Sequence, residues 1–279
     1  MRIFKLRFNT PIHIGNGVLT GTSVSICADT LFSALCCEAV KIGKLDALKN
    51  GVLVLSDCFP FIDDEYYIPK PMMNLEIAED VDKKQMRALE FISLSVLGEQ
   101  IDPEFEKGIV DELWIKTVRQ NLDSKGDPFF IASFHFKRGG LYFLTEGQEA
   151  LMDELVHMLQ FTGIGGKRSS GFGKFTYEIA DAADFDFSKK SDEYVTLSTC
   201  MAKTDELENA LVGAKYLLKK RGGYVASFNY ADRFLKKRDF YSFASGSVFQ
   251  NKFEGDIFDV SQNGNHPVWR YAKPLFLAV

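Results

Sequence analysis

Gly163-Ile-Gly-Gly-Lys-Arg-Ser-Ser-Gly-Phe-Gly-Lys174 joins an apolar helix pattern to a strand pattern, and its composition sets it apart from the rest of the chain. Five of its twelve residues are glycine, so the backbone can adopt positive φ and approach a ligand without a Cβ in the way. Lys167, Arg168 and Lys174 add charge with no acid among them, and Ser169, Ser170 and successive N–H groups offer hydrogen bonds suited to phosphate oxygens. Neither familiar phosphate motif fits by register. A Walker A loop is excluded because Phe161 occupies its first glycine position and Arg168 follows Gly166-Lys167; a dinucleotide fingerprint is excluded because Arg168 and Thr176 stand where its third glycines belong. The plain alternative is a turn that merely links helix to strand.

The 279 residues carry a net charge of −5, laid out unevenly. Residues 161–174 carry +3, residues 215–238 carry +7, and the remainder carries −15. Such segregation suits a protein that holds a polyanion on one face and meets protein neighbours on others. Lys219-Lys220-Arg221 has a simpler reading as the solvated end of a helix. No apolar run approaches the ~20 residues needed to span a bilayer, and no secretory leader opens the chain, so the expectation is a cytoplasmic protein with no membrane partner. Cys27, Cys36, Cys37, Cys58 and Cys200 have no C-x-x-C spacing and read as buried thiols rather than disulfides or a metal site.

Outward from the loop, Gln148 to Phe161 is an amphipathic helix with Leu151, Leu155, Met158 and Leu159 inward, and Phe172 to Ile179 is a strand. Upstream, residues 129–136 and 141–144 read as a hairpin about Gly139-Gly140. Residues 2–8 alternate as a half-buried strand. A helix follows, capped by Ser25 or Asp29, with Leu31, Leu35, Ala39 and Ile42 as its stripe. Val52-Leu-Val-Leu55 is a short buried strand, and Ile68-Pro-Lys-Pro71 leaves the sheet extended. Residues 72–127, with a helix pattern over 80–97, read as an insertion. The resulting order, β-α-β-β…β-α-β, is the split-βαβ or ferredoxin-like arrangement shared with RNA-recognition modules. Residues 180–192 read as a linker. Strand patterns at 194–199, 224–228, 241–243, 248–249, 268–271 and 275–277, with a short helix at 205–212, make a second such unit the economical reading. The expectation is an α+β chain of two ferredoxin-like (RRM-like) domains, 1–180 and 193–279.

Several segments together resemble the RAMP superfamily of CRISPR proteins, and within it subunit four of the type III-A Csm effector complex. They are Ile12-His-Ile-Gly15, Asp29-Thr-Leu-Phe32, Leu55-Ser-Asp-Cys-Phe-Pro-Phe61, Ile68-Pro-Lys-Pro71, the glycine-rich loop, Gly246-Ser247 and Pro267-Val-Trp-Arg-Tyr271. The resemblance implies a seat for the repeat-derived 5′ handle of a crRNA, between a backbone RAMP subunit and a large polymerase-like subunit, with target RNA met indirectly. By carry-over the resemblance implies that Gly165, Gly166, Lys167, Arg168, Ser169 and Ser170 hold handle phosphates, with His13, Gly15, Asp29 and Thr30 beside them and Gly163 and Gly171 among the RNA-binding residues. It also implies a thumb-like element within 72–127.

Recognition needs no cofactor. Phe172 and Phe134 are candidate stacking platforms for splayed bases, although Phe172 reads equally as core; Lys174, Lys236 and Lys237 are further candidate RNA contacts. The catalytic alternative is a RAMP endoribonuclease with His13 as acid/base, since His135, His157 and His266 fall on a strand, a helix and near the terminus. No H-D pair or carboxylate cluster suggests a metal nuclease. A third reading is a structural bridge whose loop packs against protein, which salt dependence distinguishes from RNA binding.

Overall fold

The computed structural model describes residues 1–75, 83–122, 125–225, 227 and 229–279. Its first half runs β1 (Arg2–Phe8), α1 (Ala28–Lys41), α2 (Leu45–Asn50), β2 (Val54–Leu55), β3 (Phe59–Ile62), β4 (Glu65–Pro69), α3 (Lys83–Ala88), β5 (Phe91–Ser93), α4 (Pro103–Leu113), β6 (Trp114–Leu122), β7 (Pro128–Phe136), β8 (Gly140–Glu146), α5 (Glu149–Thr162) and β9 (Phe175–Asp181). The main antiparallel sheet has the order β5-β4-β3-β8-β1-β9, with β2 also joined to β8. Phe4, Leu6 and Phe8 of β1 pack with Leu31, Phe32 and Leu35 of α1 and Met152, Leu155, Val156 and Leu159 of α5 in one core. The stripe of α5 is thus centred on Met152 and Val156, with Leu151 and Met158 at its flanks.

β1 is not the half-buried strand that its alternation predicts. Ile3 on its other face belongs to a second core with Phe59, Phe61, Tyr67, Tyr142 and Leu144. Lys5 is largely covered as well, its ammonium 5.0 Å from the Tyr66 ring centroid and 5.4 Å from that of Phe61. A cation can sit there because the rings' negative faces receive it while its stem packs as hydrocarbon.

The expected 129–136/141–144 hairpin is also replaced. β7 pairs with β6 over nine residue pairs, Trp114 to Leu122 against Phe136 to Pro128. β8 instead enters the main sheet between β1 and β3. The turn glycines explain the divergence. A Cβ on Gly139 would lie 1.9 Å from the Phe61 carbonyl oxygen, and one on Gly140 would lie 2.1 Å from that of Leu6, so backbone seats directly between the two flanking strands. Part of the expected helix over 80–97 lies outside the described residues; the remainder stops at Ala88, and Phe91–Ser93 adds to β4 as the outermost strand. Over the described residues 83–97 the expected helix is instead a short helix, a strand and a 3-10 turn at Leu94–Val96.

The second half contributes β10 (Tyr194–Thr196), α6 (Leu207–Ala210), β11 (Leu218–Arg221), β12 (Phe240–Phe243), β13 (Val248–Phe249), β14 (Ile257–Asp259), β15 (Trp269–Tyr271) and β16 (Phe276–Ala278). Among the described residues its strands form three short antiparallel sheets, β13-β10-β16, β11-β12 and β14-β15, an irregular arrangement of two- to four-residue strands. The strand expected over 224–228 falls partly outside the described residues; Tyr224 makes an isolated bridge to Lys236. Val195, Leu197, Val248, Leu275 and Leu277 join the second core of the first half, so packing is continuous across the expected linker.

Two buried carboxylates tie the halves together. Asp57, in the loop after β2, accepts from Ala28 N and Thr199 N through Oδ1, both at 2.7 Å, and from Thr199 Oγ1 through Oδ2 at 2.7 Å. It therefore does for α1 what Ser25 or Asp29 was expected to do; the residue at the N-cap, Cys27, makes no side-chain cap bond. Asp29 turns away from the helix end to Arg221 of β11, which donates from Nε at 2.9 Å and Nη2 at 2.7 Å, and to Arg270 Nη1 of β15. Burial alone would raise the Asp29 carboxyl, but the charges and hydrogen bonds of the two arginines outweigh it and hold it at about 2.

Asp57→Ala strands two backbone N–H groups in a dry interior and is expected to lower stability by about 2–4 kcal/mol, against about 1 kcal/mol for Thr199→Val, as read from denaturant midpoints. Because Asp29 binds its proton less readily folded than unfolded, the unfolded chain takes up more protons as pH falls from about 4 to 2. Its contribution of about 2 kcal/mol is thus complete above pH ~4 and lost across that interval. Unfolding curves at several pH values check this: Asp29→Asn is expected to flatten the acid limb while lowering neutral stability by about 3–5 kcal/mol, since two buried guanidinium groups lose their counter-charge.

Candidate functional site

The glycine-rich loop closes back on itself between α5 and β9. Ile164 N donates to Gly173 O at 3.0 Å, Gly173 N to Pro11 O at 2.8 Å, and Gly166 N to His13 O at 2.8 Å. Gly165 has φ +93° and a Cβ there would lie 2.6 Å from the His13 carbonyl oxygen; Gly173 has φ +75° and a Cβ there would lie 1.9 Å from that of Ile164. These glycines are therefore demanded by close backbone packing within the protein. The N–H groups of Gly166, Ser170, Gly171 and Gly173 are spent on internal bonds. Those of Gly165, Lys167 and Arg168 have no intramolecular partner among the described residues.

His13 is almost fully buried, and its Nδ1 donates to the Ala132 carbonyl at 2.7 Å, which leaves Nε2 as the unprotonated nitrogen of the neutral ring. The ring lies beside Gly15 and Gly166, so the loop and the segment after β1 share one wall. That wall faces a groove of about 980 Å³. Its floor is the first turns of α1, including Cys27, Asp29, Thr30 and Ser33, and its opposite wall comes from Lys219, Lys220, Arg221, Lys237, Asp239 and Arg270 of the second half.

The structure thus brings His13, Gly15, Asp29, Thr30, Gly165, Gly166, Arg168 and Lys237 to one groove. Asp29 and Thr30 play a different part from the one expected. Both are engaged by Arg221, Thr30 Oγ1 accepting from Nη2 at 2.8 Å, so they fix the far wall in place. Gly163, Lys167, Ser169, Ser170, Gly171, Phe172, Lys174 and Lys236 do not line the groove. Gly163 is buried, Ser169 and Ser170 are exposed on a single 3-10 turn over Arg168–Ser170, and Gly171 ends that turn. Lys167 lies over the Phe129 ring, 4.7 Å from its centroid; Lys174 sits at the start of β9 with its N–H on Thr10 Oγ1; Lys236 lies 5.6 Å from the Tyr224 ring centroid. Phe172 is half-buried and remains near the loop. Phe134 is withdrawn from any stacking role: it is buried in the first core, edge-on to Trp114.

Sequence reasoning missed the second wall. Lys219-Lys220-Arg221 is strand β11, paired with β12, and not the end of a helix. Lys220 pairs with Asp239 at 2.6 Å, and Lys219 Nζ donates to Cys27 Sγ at 3.2 Å. Burial pushes the Cys27 thiol up, so it is a neutral acceptor. Arg270 lay within the quoted Pro267–Tyr271 segment, and the cluster of cations over 215–238 signalled the rest. Of the other thiols, Cys58 and Cys200 are buried as expected, while Cys37 is exposed and borders the groove. His135, His157 and His266 stand elsewhere: His135 on β7 opposite Ile115, His157 bonded to Gln160, and His266 bonded to Ser227. No helix among the described residues is long and apolar enough to cross a membrane.

Comparison with known proteins accounts for both halves. The family model of the RAMP superfamily matches residues 5–176, and that of the CRISPR Csm4 C-terminal domain matches residues 189–279. The protein named CRISPR system Cms protein Csm4 of Mycobacterium tuberculosis is 37% identical over 295 residues, covering 100% of this chain and 97% of its own. Its namesake from Streptococcus thermophilus is 34% identical, covering 95% and 94%. Among solved structures, a Csm3–Csm4 subcomplex of the type III-A CRISPR-Cas interference complex matches with a TM-score of 0.68 at 19% identity, over 100% of this chain and 99% of that one. A Csm1–Csm4 cassette in complex with pppApA matches with a TM-score of 0.62 at 19% identity, over 100% and 97%. With both halves matched by these family models, the chain belongs to the RAMP superfamily and, within it, to the Csm4 family of CRISPR proteins.

Proposed function

We propose that this chain is a non-catalytic RNA-holding subunit of a type III-A Csm effector complex that seats the 5′ repeat-derived handle of the crRNA in the groove. The observation that carries the reading is the pairing of walls: Gly165 and Arg168 offer unengaged N–H groups on one side, and Lys219, Lys220, Arg221, Lys237 and Arg270 bring cations on the other. Strands of nucleic acid are gripped in this way, by backbone amides and cations that fix phosphates. In the same reading the chain bridges a Csm3-like backbone RAMP subunit and a Csm1-like large subunit, in keeping with the relatives solved together with those proteins. It works in the cytoplasm and meets target RNA through its neighbours.

The fold reading that accompanies it is a ferredoxin-like, RRM-like unit over 1–180, supported by the chain order β1-α1-β3-β8-α5-β9 and the sheet order β9-β1-β8-β3. Residues 193–279 form the second unit, which brings the cationic wall. The thumb-like element corresponds to the β6–β7 hairpin, whose Ile115, Val118, Leu122 and Phe130 are exposed. It begins inside the expected 72–127 segment and ends beyond it.

One observation favours a second reading, that of an endoribonuclease. The Ala132 carbonyl fixes the His13 tautomer so that Nε2 is free to take a proton beside the groove. Binding of a short single-stranded RNA with a repeat-type 5′ end, followed across salt concentrations with the RNA checked on a gel, separates the readings. The expected outcome is salt-sensitive binding with a log–log slope of about −0.7 for each phosphate engaged, weakened about tenfold in Arg168→Ala, with the RNA intact. Cleavage lost in His13→Ala transfers the assignment to the nuclease, and salt-insensitive capture of a protein partner without RNA transfers it to the bridge.

A further inference from the structure

His13 is 5% exposed, and the segment that carries it is fixed. Ile12 exchanges two backbone bonds with Phe134, both at 2.9 Å, Ile14 N donates to Thr22 Oγ1 at 3.0 Å, and the His13 carbonyl accepts from Gly166 N at 2.8 Å. With Nδ1 committed to the Ala132 carbonyl, the ring can neither swing nor change tautomer without breaking a buried bond. Nε2 makes no hydrogen bond among the described residues, yet it is not sealed in the interior as Nε2 of His135 is. It opens on the groove that His13 lines.

The two glycines beside the ring differ in what they do. Neither has a positive φ. A Cβ on Gly166 would lie 2.8 Å from Cδ2 of His13, so glycine there lets the loop pack on the edge of the ring. A Cβ on Gly15 would meet one heavy atom within 4 Å, Nε2 itself at 3.5 Å, which is ordinary van der Waals contact. Neither strain nor crowding therefore calls for glycine at position 15. What its missing side chain leaves is clear space over Nε2, the close approach to a ligand that glycine permits.

The unprotonated nitrogen of a neutral imidazole is an acceptor. A phosphate oxygen is an acceptor too, so Nε2 repels it, and His13 must address a different atom of a ligand from the free amides of Gly165 and Arg168. Among the described residues no group of three His, Cys, Asp or Glu gathers to hold a metal ion with it. What Nε2 takes is an O–H or N–H donor small enough to enter over an almost wholly covered side chain. A ribose 2′-hydroxyl meets that description, being a single-atom donor vicinal to the 3′-phosphate of its own nucleotide. We propose that His13 Nε2 accepts from one 2′-hydroxyl of the strand in the groove, through the opening that Gly15 leaves, and so reads the sugar that distinguishes RNA from DNA. The inference rests on the reading that the groove holds RNA, and adds a sugar-specific contact that phosphate binding does not provide. The proton stays on the hydroxyl and no bond of the RNA is broken.

The test uses the full chain and a short single-stranded RNA with a repeat-type 5′ end, with a set of copies that each carry one 2′-deoxy nucleotide. His13→Asn keeps an amide N–H in the place of Nδ1 for the Ala132 carbonyl and removes Nε2. Gly15→Ala keeps the imidazole and covers it. Both are expected to hold the wild-type Tm. In the wild type, one deoxy position is expected to lower affinity about fivefold. In either variant the unmodified RNA binds about fivefold more weakly and that position ceases to matter, while the salt slope is unchanged because no charge has been removed. A merely structural role for His13 predicts the opposite: a lower Tm and weaker binding of every RNA, with the dependence on one sugar retained. Salt-sensitive wild-type binding that is indifferent to every 2′-deoxy substitution overturns the inference and leaves the RNA-holding reading intact. A chain that binds none of the RNAs overturns both. If loss of an exocyclic base amine costs affinity in the wild type but not in His13→Asn, with the deoxy set silent, the assignment to the sugar is overturned in favour of a base edge. Cleavage of the RNA that stops in His13→Asn overturns the binding role in favour of the nuclease.

Discussion

The carboxylate of Asp29 is the contact on which the groove depends. It sits in the first turn of α1, at the end of the first half's core, and receives arginines from two different strand pairs of the second half. Without that charge, Arg221 and Arg270 would have no reason to leave water, and β11 and β15 would have no electrostatic reason to approach α1. The helix end itself is satisfied independently by Asp57, which frees Asp29 to face outward into the second half. Two acids about a helix N-terminus therefore divide the work, one completing the helix and the other holding the opposite wall.

Buried ion pairs are weak evidence for stability, because desolvation offsets much of their attraction. Their use here is geometric. The apolar packing of Val195, Leu197 and Leu277 against Ile3 and Tyr142 already provides area that drives the halves together, but apolar contact tolerates sliding. A carboxylate that accepts from Arg221 at 2.7 and 2.9 Å tolerates little, and the triple bond set of Asp57 pins the neighbouring backbone in the same way. The width of the groove is thus fixed by directional bonds while its existence is driven by the core.

Much of this was legible in sequence, and the failures share a cause. Local signals were sound: the apolar stripe of α1, the strand at 2–8, the helix–loop–strand order about the glycines, and the segregated positive charge all reflect periods or compositions within a single segment. What could not be read were pairings and burial decided by packing outside the segment itself. The partner of β7 is decided by how Gly139 and Gly140 pack on Phe61 and Leu6, and the burial of Ile3 and Lys5 by a core that residues from beyond position 190 help to close. Arg270 lay within a quoted segment, but nothing in that segment assigned it a role. Its role appears when a chain separation of 241 residues collapses onto Asp29.

The glycine-rich loop shows why motif residues and groove-lining residues need not coincide. Gly165 and Gly173 are required where a Cβ would strike the carbonyl oxygens of His13 and Ile164, so they secure the loop to the segment after β1 and to itself. Lys167, one of the loop's candidate phosphate ligands, is drawn onto Phe129, and it is Arg168 that reaches the groove. A substitution at Gly165 or Gly173 therefore disturbs one wall as a whole, through His13 and Ile164, whereas a substitution of a cation on the other wall removes a single charge. The loop gives the groove its shape and contributes Arg168 and a few amides; the other cations come largely from β11 and β15, where Arg221 and Arg270 are held by one acid in the first turn of α1.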